Sequence, residues 1–178
     1  RLYTTGKGSI ARRSAQTAMF VMADGLTRLL APILSFTADE FWRFLPGRDA
    51  ESVHLSAFPT AGELLAFHNP ALVGRWSRLT ALRERVVAQI EPLRKEKQIG
   101  SSLQAKVVLS AGDGDLAFLE TYAEQLPMLF IVSEVELRAS NGSSEPRSDT
   151  QVEIGRATGV KCDRCWRYVP VVSQDPEW

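Results

Sequence analysis

The spacing of apolar residues changes near residue 100, and this change constrains the fold of the 178-residue chain more than any other feature. Before residue 100, apolar residues recur every three or four positions, as on one face of an α-helix. Between Leu103 and Leu109 they mostly alternate with other residues, as in a half-buried strand. The sequence therefore predicts an α+β protein, in which a helical region of about 100 residues precedes a small β-α-β-β unit.

Two helices are predicted before residue 50. The first covers residues 9–34 and ends or kinks at Pro32. Its apolar stripe consists of Met22, Leu26, Leu29, Leu30 and Ile33. The second covers Ala38 to Leu45, because Thr37 and Glu40 have the spacing of a capping box and Phe36 and Phe41 that of a hydrophobic staple.

A long third helix is predicted from about Leu72 to Gln98, after an irregular connection over residues 47–69. Pro92 lies inside its apolar pattern and predicts either a kink or two abutting helices. Gly100 follows its last turn and is a candidate for the C-cap.

The second half of the chain predicts short elements. Strands are expected at Leu103 to Leu109, Phe130 to Leu137 and Gln151 to Ala157, with a short helix capped by Asp115 after the first strand. Residues 139–149 are expected to form a flexible linker. The predicted domains are therefore a helical domain at 1–100, a mixed α/β sub-domain at 101–158 and a cysteine-bearing tail at 159–178.

The clearest chemical motif is Cys162-Asp163-Arg164-Cys165. A C-x2-C turn places two thiolates on one side of a tight loop, where they can hold zinc. Zinc needs four ligands, and these are the only two cysteines of the chain. Free thiols, a disulfide and a redox pair remain alternatives. We find no catalytic motif, and we expect His54 and His68 to be solvent-exposed residues of the irregular connection.

The net charge of zero conceals an uneven distribution. Eight basic residues lie between Arg75 and Lys106, whereas six acidic residues and no basic ones lie between Val107 and Leu137. The tail is basic and aromatic again. Basic side chains among aromatic ones suit a nucleic-acid backbone with stacked bases. The alternative is a solvated helix face with ion pairs such as Glu91–Lys95.

Several classes of protein are excluded or disfavoured by composition. The most apolar stretch, residues 18–36, is interrupted by Asp24 and Arg28, so no membrane span is predicted. Two cysteines are too few for a disulfide framework and suit a reducing cytosol, which predicts a cytoplasmic location. Because the first residue is Arg1 and not a methionine, we expect a piece of a longer protein.

Three segments resemble a known family. Residues 30–42 and 91–103 resemble the anticodon-binding domain of the class I synthetases for isoleucine, valine, leucine and methionine. Residues 161–167 look like the C-terminal zinc knuckle of bacterial isoleucyl-tRNA synthetases. These motifs occur in the family's order and span nearly the whole chain, which is therefore identified as similar to the C-terminal part of that family.

The resemblance implies a helical bundle that binds the anticodon stem and loop, then a small mixed domain and a zinc-binding end. It implies a monomeric parent enzyme that joins isoleucine to its tRNA with ATP in protein biosynthesis. The family's catalytic and editing domains have no counterpart here, so we expect no catalytic residue and no ATP site in this chain. The zinc knuckle would be incomplete, because the family supplies two further cysteines.

The resemblance and the charge pattern together suggest specific contacts. Arg164, Trp166 and Arg167 are predicted to meet the anticodon region, with Trp166 stacking on an unpaired base or instead packing the tail against the preceding domain. Cys162 and Cys165 are the predicted zinc ligands. The predicted phosphate contacts are Arg83, Arg94, Lys95 and Lys97.

Two alternative functions remain open at this point. The acidic half could make the chain a protein-interaction module for a basic partner. A similar zinc knuckle also occurs in some DNA glycosylases, but we see neither their N-terminal catalytic proline nor their helix–two-turn–helix.

Overall fold

The computed structural model describes residues 5–140 and 150–172. Two compact units are present, one reaching Pro70 and the other beginning at Ala71. The second unit therefore contains the long helix as well as the sheet. The predicted domain bounds of 1–100, 101–158 and 159–178 stay a prediction.

The first helix of the first unit, α1, covers Ile10–Leu30. Ser9 caps its N-terminus, because its hydroxyl accepts a hydrogen bond from the Arg12 N–H at 3.3 Å. The helix ends four residues earlier than predicted. Pro32 lacks the N–H that would continue the helical hydrogen bonds, and a tight turn follows in which the Leu34 N–H bonds the Leu30 carbonyl.

The second helix, α2, covers Ser35–Trp42, so the predicted start at Ala38 is wrong. Thr37 lies inside the helix and caps nothing, and Phe36 is 91% exposed, which excludes the predicted hydrophobic staple. The turn after Pro32 already brings the chain into helical conformation at Ser35. A true capping box occurs later, where Thr60 and Glu63 open the short helix α3.

A small core holds the first unit together. Helix α3 covers Ala61–Leu65, and a 3-10 turn covers Val53–Leu55, so the segment predicted as irregular is partly ordered. Trp42 is 2% exposed, and its indole N–H donates to the Ala50 carbonyl at 2.9 Å. The buried apolar residues are Ala31, Ala38, Trp42, Leu45 and Val53.

The long helix α4 covers Pro70–Lys95 as one continuous helix. Pro70 suits the first helical position, where its missing N–H costs nothing. Pro92 lies in the last turns without dividing the helix into two. The apolar residues that predicted this helix form its buried face, which consists of Leu79, Leu82, Val86 and Ile90.

Helix α4 ends in a Schellman motif centred on Lys97. Lys97 adopts φ 59°, the Gln98 N–H bonds the Leu93 carbonyl at 2.9 Å, and the Lys97 N–H bonds the Arg94 carbonyl at 3.1 Å. The prediction that Gly100 forms the cap is therefore wrong. A lysine takes the left-handed position that glycine usually fills.

The second half of the chain forms a three-stranded mixed sheet, which agrees with the predicted α+β class. Strand β1 (Ala105–Ala111) lies in the centre, parallel to β2 (Glu134–Ala139) and antiparallel to β3 (Gln151–Arg156). Helices α5 (Asp113–Glu120) and α6 (Leu126–Phe130) form the connection between the two parallel strands.

Two details of this region differ from the predictions. Asp115 lies within α5, whose N-cap is Gly112, so Asp115 is a first-turn acidic residue and not the cap. The strand predicted from Phe130 begins only at Glu134, because residues 126–130 form α6 and Ile131 then turns left-handed at φ 58°. Most of the predicted linker lies outside the described residues.

Helix α4 and the inner face of the sheet share one core. Its largest fully buried side chains include Phe130, Leu79, Leu109 and Leu119. The chain then forms a short antiparallel hairpin of β4 (Val160–Lys161) and β5 (Tyr168–Val169). This hairpin holds the two cysteines in the loop between its strands.

Candidate nucleic-acid interface

The hairpin loop that carries the cysteines is a closed turn. The Cys162 N–H donates to the Arg167 carbonyl and the Trp166 N–H donates to the Cys162 carbonyl, both at 2.8 Å. The hairpin depends on Gly159, which has φ 103°, because a Cβ there would lie 2.4 Å from the Val169 carbonyl oxygen. No other residue type fits this position without moving the hairpin.

The two thiols lie at the base of the turn and are half-buried. The backbone N–H groups of Cys165 and Arg164 donate to the Cys162 sulfur and lower the pKa of this thiol, because they stabilise its anion. The pair supplies two of the four ligands that zinc needs. Within the described ranges, no group of three or more His, Cys, Asp or Glu side chains is placed to hold a metal.

Trp166 projects from this turn into solvent. Its side chain is 62% exposed, and its backbone adopts φ 63°, which is uncommon for a residue with a bulky side chain. The Lys161 ammonium lies 5.9 Å from the centre of the indole ring. Of the two roles predicted for Trp166, this exposure favours the aromatic platform over packing against the preceding domain.

Arg167 anchors the tail to the sheet. Its guanidinium donates to the Ser133 carbonyl at 2.8 Å, and its Nε is buried. The Ser133 hydroxyl accepts from the Tyr168 N–H at 2.7 Å and donates to the Leu103 carbonyl at 2.6 Å. Arg167 thus has a structural role, and part of its hydrogen-bonding capacity is used within the fold.

Gln104 joins the tail to the end of the long helix. Its side-chain oxygen accepts from the Gly100 N–H at 2.7 Å, while its side-chain nitrogen donates to the Tyr168 hydroxyl at 3.4 Å. Gly100 is three residues from Lys97, and Tyr168 is two residues from Trp166. Gln104 therefore links the segment that follows α4 to the hairpin that carries the exposed indole.

Three of the predicted phosphate contacts lie at this end of α4. Arg94, Lys95 and Lys97 are exposed, and Arg94 pairs with Glu91 at 2.8 Å. Cations in the last turn also complement the negative end of the helix dipole, so part of their role is structural. Arg164 is exposed in the hairpin loop. We call the exposed cations Arg94, Lys95, Lys97 and Arg164, together with Trp166, the terminal surface.

Arg83 belongs to a different place from the terminal surface. It is half-buried, and its Nε donates to the Leu129 carbonyl at 3.0 Å, which ties α4 to α6. Arg78 and Arg85 likewise have partners within the unit, at Asp115 and the Thr150 carbonyl. Several of the basic residues of α4 therefore form hydrogen bonds or ion pairs within the second unit.

The acidic region is less uniform than the sequence suggests. Lys106 bonds Glu134 at 2.6 Å and Glu136 at 2.8 Å, and Arg138 bonds Glu136 at 2.6 Å. Arg138 and then Lys106 lower the pKa of Glu136 to about 2. Cations at the ends of the acidic run thus neutralise part of the charge on the sheet.

Sequence reasoning missed Gln104 and Ser133. Both are polar residues immediately before a strand, Gln104 before β1 and Ser133 before β2, where the alternating pattern gives them no distinct signal. They gain their partners only because the tail returns to the end of the sheet where β1 and β2 begin. Gly159 was one sequence signal for the hairpin of the tail. We did not predict that it lies against the Val169 carbonyl.

Comparison with known proteins agrees with this geometry. Residues 1–109 match the model of the anticodon-binding domain of tRNA ligase, which places the helical part of the chain in a class of RNA-recognition domains. This match covers more than half of the chain, and the chain therefore belongs to that family. Within residues 5–140 and 150–172, no helix is long and apolar enough to span a bilayer.

Individual relatives are similar over nearly the whole chain. The isoleucine–tRNA ligase of Syntrophotalea carbinolica is 48% identical over 184 residues, which cover 99% of this chain and 19% of that enzyme. The isoleucine–tRNA ligases of Geobacter sulfurreducens and Natranaerobius thermophilus are 40% and 37% identical, over 98% and 99% of this chain and 19% and 20% of theirs. The chain thus spans about one-fifth of the length of these curated relatives.

Proposed function

We propose that this chain is the part of an isoleucyl-tRNA synthetase that binds the anticodon stem and loop of isoleucine tRNA. The observation that carries the proposal is the terminal surface, in which exposed cations and an exposed indole are joined through Gln104. The family membership and the isoleucine–tRNA ligase relatives support it.

The terminal surface has the two kinds of group that single-stranded RNA needs. Ammonium and guanidinium groups bind phosphates, and this binding weakens with salt because counterions are released from the RNA. An unpaired base stacks on an aromatic ring, which contributes about 1–3 kcal/mol per base. Arg94, Lys95, Lys97 and Arg164 would supply the first kind, and Trp166 the second.

The longer protein would join isoleucine to its tRNA with ATP, as a monomer in the cytoplasm. This chain would contribute recognition of the tRNA, while the catalytic steps and the ATP site would lie in other domains. Arg83 and Arg167 would act through the fold, by holding α6 and the tail in place, more than by direct contact with RNA.

Cys162 and Cys165 would hold half of a zinc site, with two further ligands from outside the described residues. The N–H groups that point at the Cys162 sulfur support this assignment, because they stabilise a thiolate ligand. In the longer protein, Cys162→Ser with Cys165→Ser should lower the zinc content by about one ion per chain, as measured by mass spectrometry of the native protein. Unchanged zinc content would reject the site.

The function is tested by binding of isoleucine tRNA at two salt concentrations. Trp166→Gly removes the indole and suits the left-handed backbone, so a loss of affinity of about tenfold would reflect stacking and not misfolding. Lys95→Gln with Lys97→Asn removes two charges and keeps a residue that tolerates the Schellman position. The slope of log affinity against log salt concentration should fall by about one to two, as expected for the loss of one or two phosphate contacts.

Trp76 provides the matched control, because it is a half-exposed tryptophan on α4 outside the terminal surface. Trp76→Ala should leave tRNA affinity unchanged. Equal binding of every tRNA, with no effect of the Trp166 and lysine variants, would reject the proposal. Binding of a basic protein in place of tRNA would favour the interaction-module alternative.

A further inference from the structure

Arg156 is an exposed cation at the end of strand β3. The three-stranded sheet carries two further cations, and both have carboxylate partners. Lys106 bonds Glu134 and Glu136. Arg138 bonds Glu136. Among the residues that the structure describes, no carboxylate pairs with Arg156, so its charge is not used within the sheet.

The alternation of β3 places Arg156 on the face of the sheet that packs against α4. Side chains of a strand point alternately to its two faces, and Val152 and Ile154 pack against the core that α4 shares with the sheet. Arg156 lies two residues after Ile154 and so belongs to the same face. In the register with β1 it is opposite Ala105, where that strand begins.

Gln104 connects the end of β3 with the segment after α4 and with the hairpin. Its backbone carbonyl accepts a hydrogen bond at 2.7 Å from the N–H of Ala157, the residue after Arg156. Its side chain bonds the Gly100 N–H and the Tyr168 hydroxyl. Arg156 is therefore one strand spacing, about 4.8 Å, from the residues that join these two segments.

Beyond Arg156 the chain carries further exposed cations around the indole. Lys161 and Arg164 are exposed, and Asp163 is the only acidic residue between positions 156 and 166. The Lys161 ammonium lies 5.9 Å from the centre of the Trp166 ring. Cations clustered around an exposed aromatic ring suit single-stranded RNA more than a protein, because each nucleotide brings both a base and a phosphate to the surface.

We propose that Arg156 binds a backbone phosphate of the same RNA strand whose unpaired base stacks on Trp166. This inference rests on the proposed function and extends the RNA-binding surface onto strand β3. A guanidinium suits this role, because its planar donors can bind two oxygens of one phosphate. Arg156 would position the strand without reading its sequence, since phosphate contacts fix register and carry no base information.

The first test is the salt dependence of isoleucine-tRNA binding by the longer protein. Arg156→Gln should weaken binding about fivefold at about 50 mM salt, and the slope of log affinity against log salt concentration should fall by about one. The loss should therefore shrink about fourfold by about 200 mM salt. Arg156→Lys keeps the charge and should keep the slope.

Arg138→Gln is the matched control for this test. Arg138 is also an exposed arginine of the sheet, but it lies opposite Ser110, near the other end of β1. Its replacement should leave the tRNA affinity and the salt dependence unchanged.

The second test locates the phosphate. Isoleucine tRNA is assembled with a single uncharged methylphosphonate at successive positions of the anticodon stem and loop. At one position, or at two adjacent ones, Arg156→Gln should cause no further loss of affinity, because the contact is already removed. At all other positions the loss should stay about fivefold, as expected for independent sites.

Three outcomes would overturn the proposal. Parent-like binding by Arg156→Gln would reject the contact, and the proposed function would stand if Trp166→Gly still lost affinity and fall with it if not. An equal loss at every methylphosphonate position would show a long-range effect of charge. Unchanged tRNA binding, with lower thermal stability for Arg156→Gln and not for Arg138→Gln, would assign Arg156 to a carboxylate elsewhere in the longer protein.

Discussion

Each of the two compact units has a long helix with an apolar stripe, but the stripe is buried in one unit and exposed in the other. On α4, Leu79, Leu82, Val86 and Ile90 are at most 8% exposed. On α1, the stripe of Met22, Leu26, Leu29 and Leu30 is at least 39% exposed. Both stripes follow the same helical period. The period therefore tells which face of a helix is apolar, and only the surrounding structure tells whether that face is covered.

The largest expected difference follows directly from this contrast. Ile90→Ala should lower the free energy of unfolding of the 178-residue chain by about 2–5 kcal/mol, because it leaves a cavity in the core. Leu26→Ala should cost less than about 1 kcal/mol, because Leu26 is already in water. Urea unfolding followed by circular dichroism compares the two variants. Equal costs would contradict the exposure of the α1 stripe.

A smaller effect is expected from Ser133 in the second unit. Ser133→Ala leaves the Tyr168 N–H without its acceptor and should cost about 1–3 kcal/mol. Hydrogen exchange should then increase in the hairpin residues 160–169 more than in the three-stranded sheet. Ser110→Ala, near the end of β1, is the matched control. Equal exchange in the two variants would show that the tail does not depend on Ser133.

At the end of α4, glycine substitutions of two nearby lysines should change stability in opposite directions. Lys97→Gly should stabilise the chain by about 1 kcal/mol, because glycine prefers the left-handed conformation of the Schellman position. Lys95→Gly should destabilise it by a similar amount, because Lys95 is within the helix. Thermal unfolding measures both. The same sign for both variants would contradict the positive φ of Lys97.

The smallest expected effects are on the pH dependence of stability, and a carboxyl in each unit tests them. Ion pairs lower the pKa of Glu136 from 4.5 to about 2, and they also lower the pKa of Glu63. Both carboxylates therefore stabilise the fold above pH 4.5 and lose this contribution as the pH falls, for Glu136 through about pH 2.

Glu136→Gln should flatten the acid dependence of hydrogen exchange in the second unit, and Glu63→Gln that in the first. Because both carboxyls are partly exposed to solvent, each effect should be small. A Glu136→Gln variant with the acid dependence of the parent chain would show that the pairs with Arg138 and Lys106 do not form in solution.

Much of the fold was predictable because its signals are local. The α4 stripe, strand β1 and strand β3 follow from period and turn residues alone. Errors arose where two local signals competed. The Thr37–Glu40 spacing suggested a helix start, but the turn after Pro32 had already begun the helix. Residues 126–130 looked like part of a strand and formed α6 instead, because short apolar runs do not distinguish the two.

The candidate site was predictable in its residue types and not in its assembly. Exposed cations and an exposed tryptophan could be proposed from charge and aromatic content. Their association depends on Gln104 and Ser133, whose partners are far away in sequence. Sequence alone also gave no reason to separate Arg83 and Arg167, which bond carbonyls within the fold, from the exposed cations of the terminal surface.

In the hydrogen bond between Gln104 and Tyr168, the amide is the donor and the phenol oxygen is the acceptor. Because the Gln104 oxygen accepts from Gly100, its amide nitrogen faces Tyr168 and the phenol oxygen acts as an acceptor. A phenol has only one proton. The hydroxyl of Tyr168 therefore keeps that proton for an acceptor other than Gln104, two residues from the exposed indole.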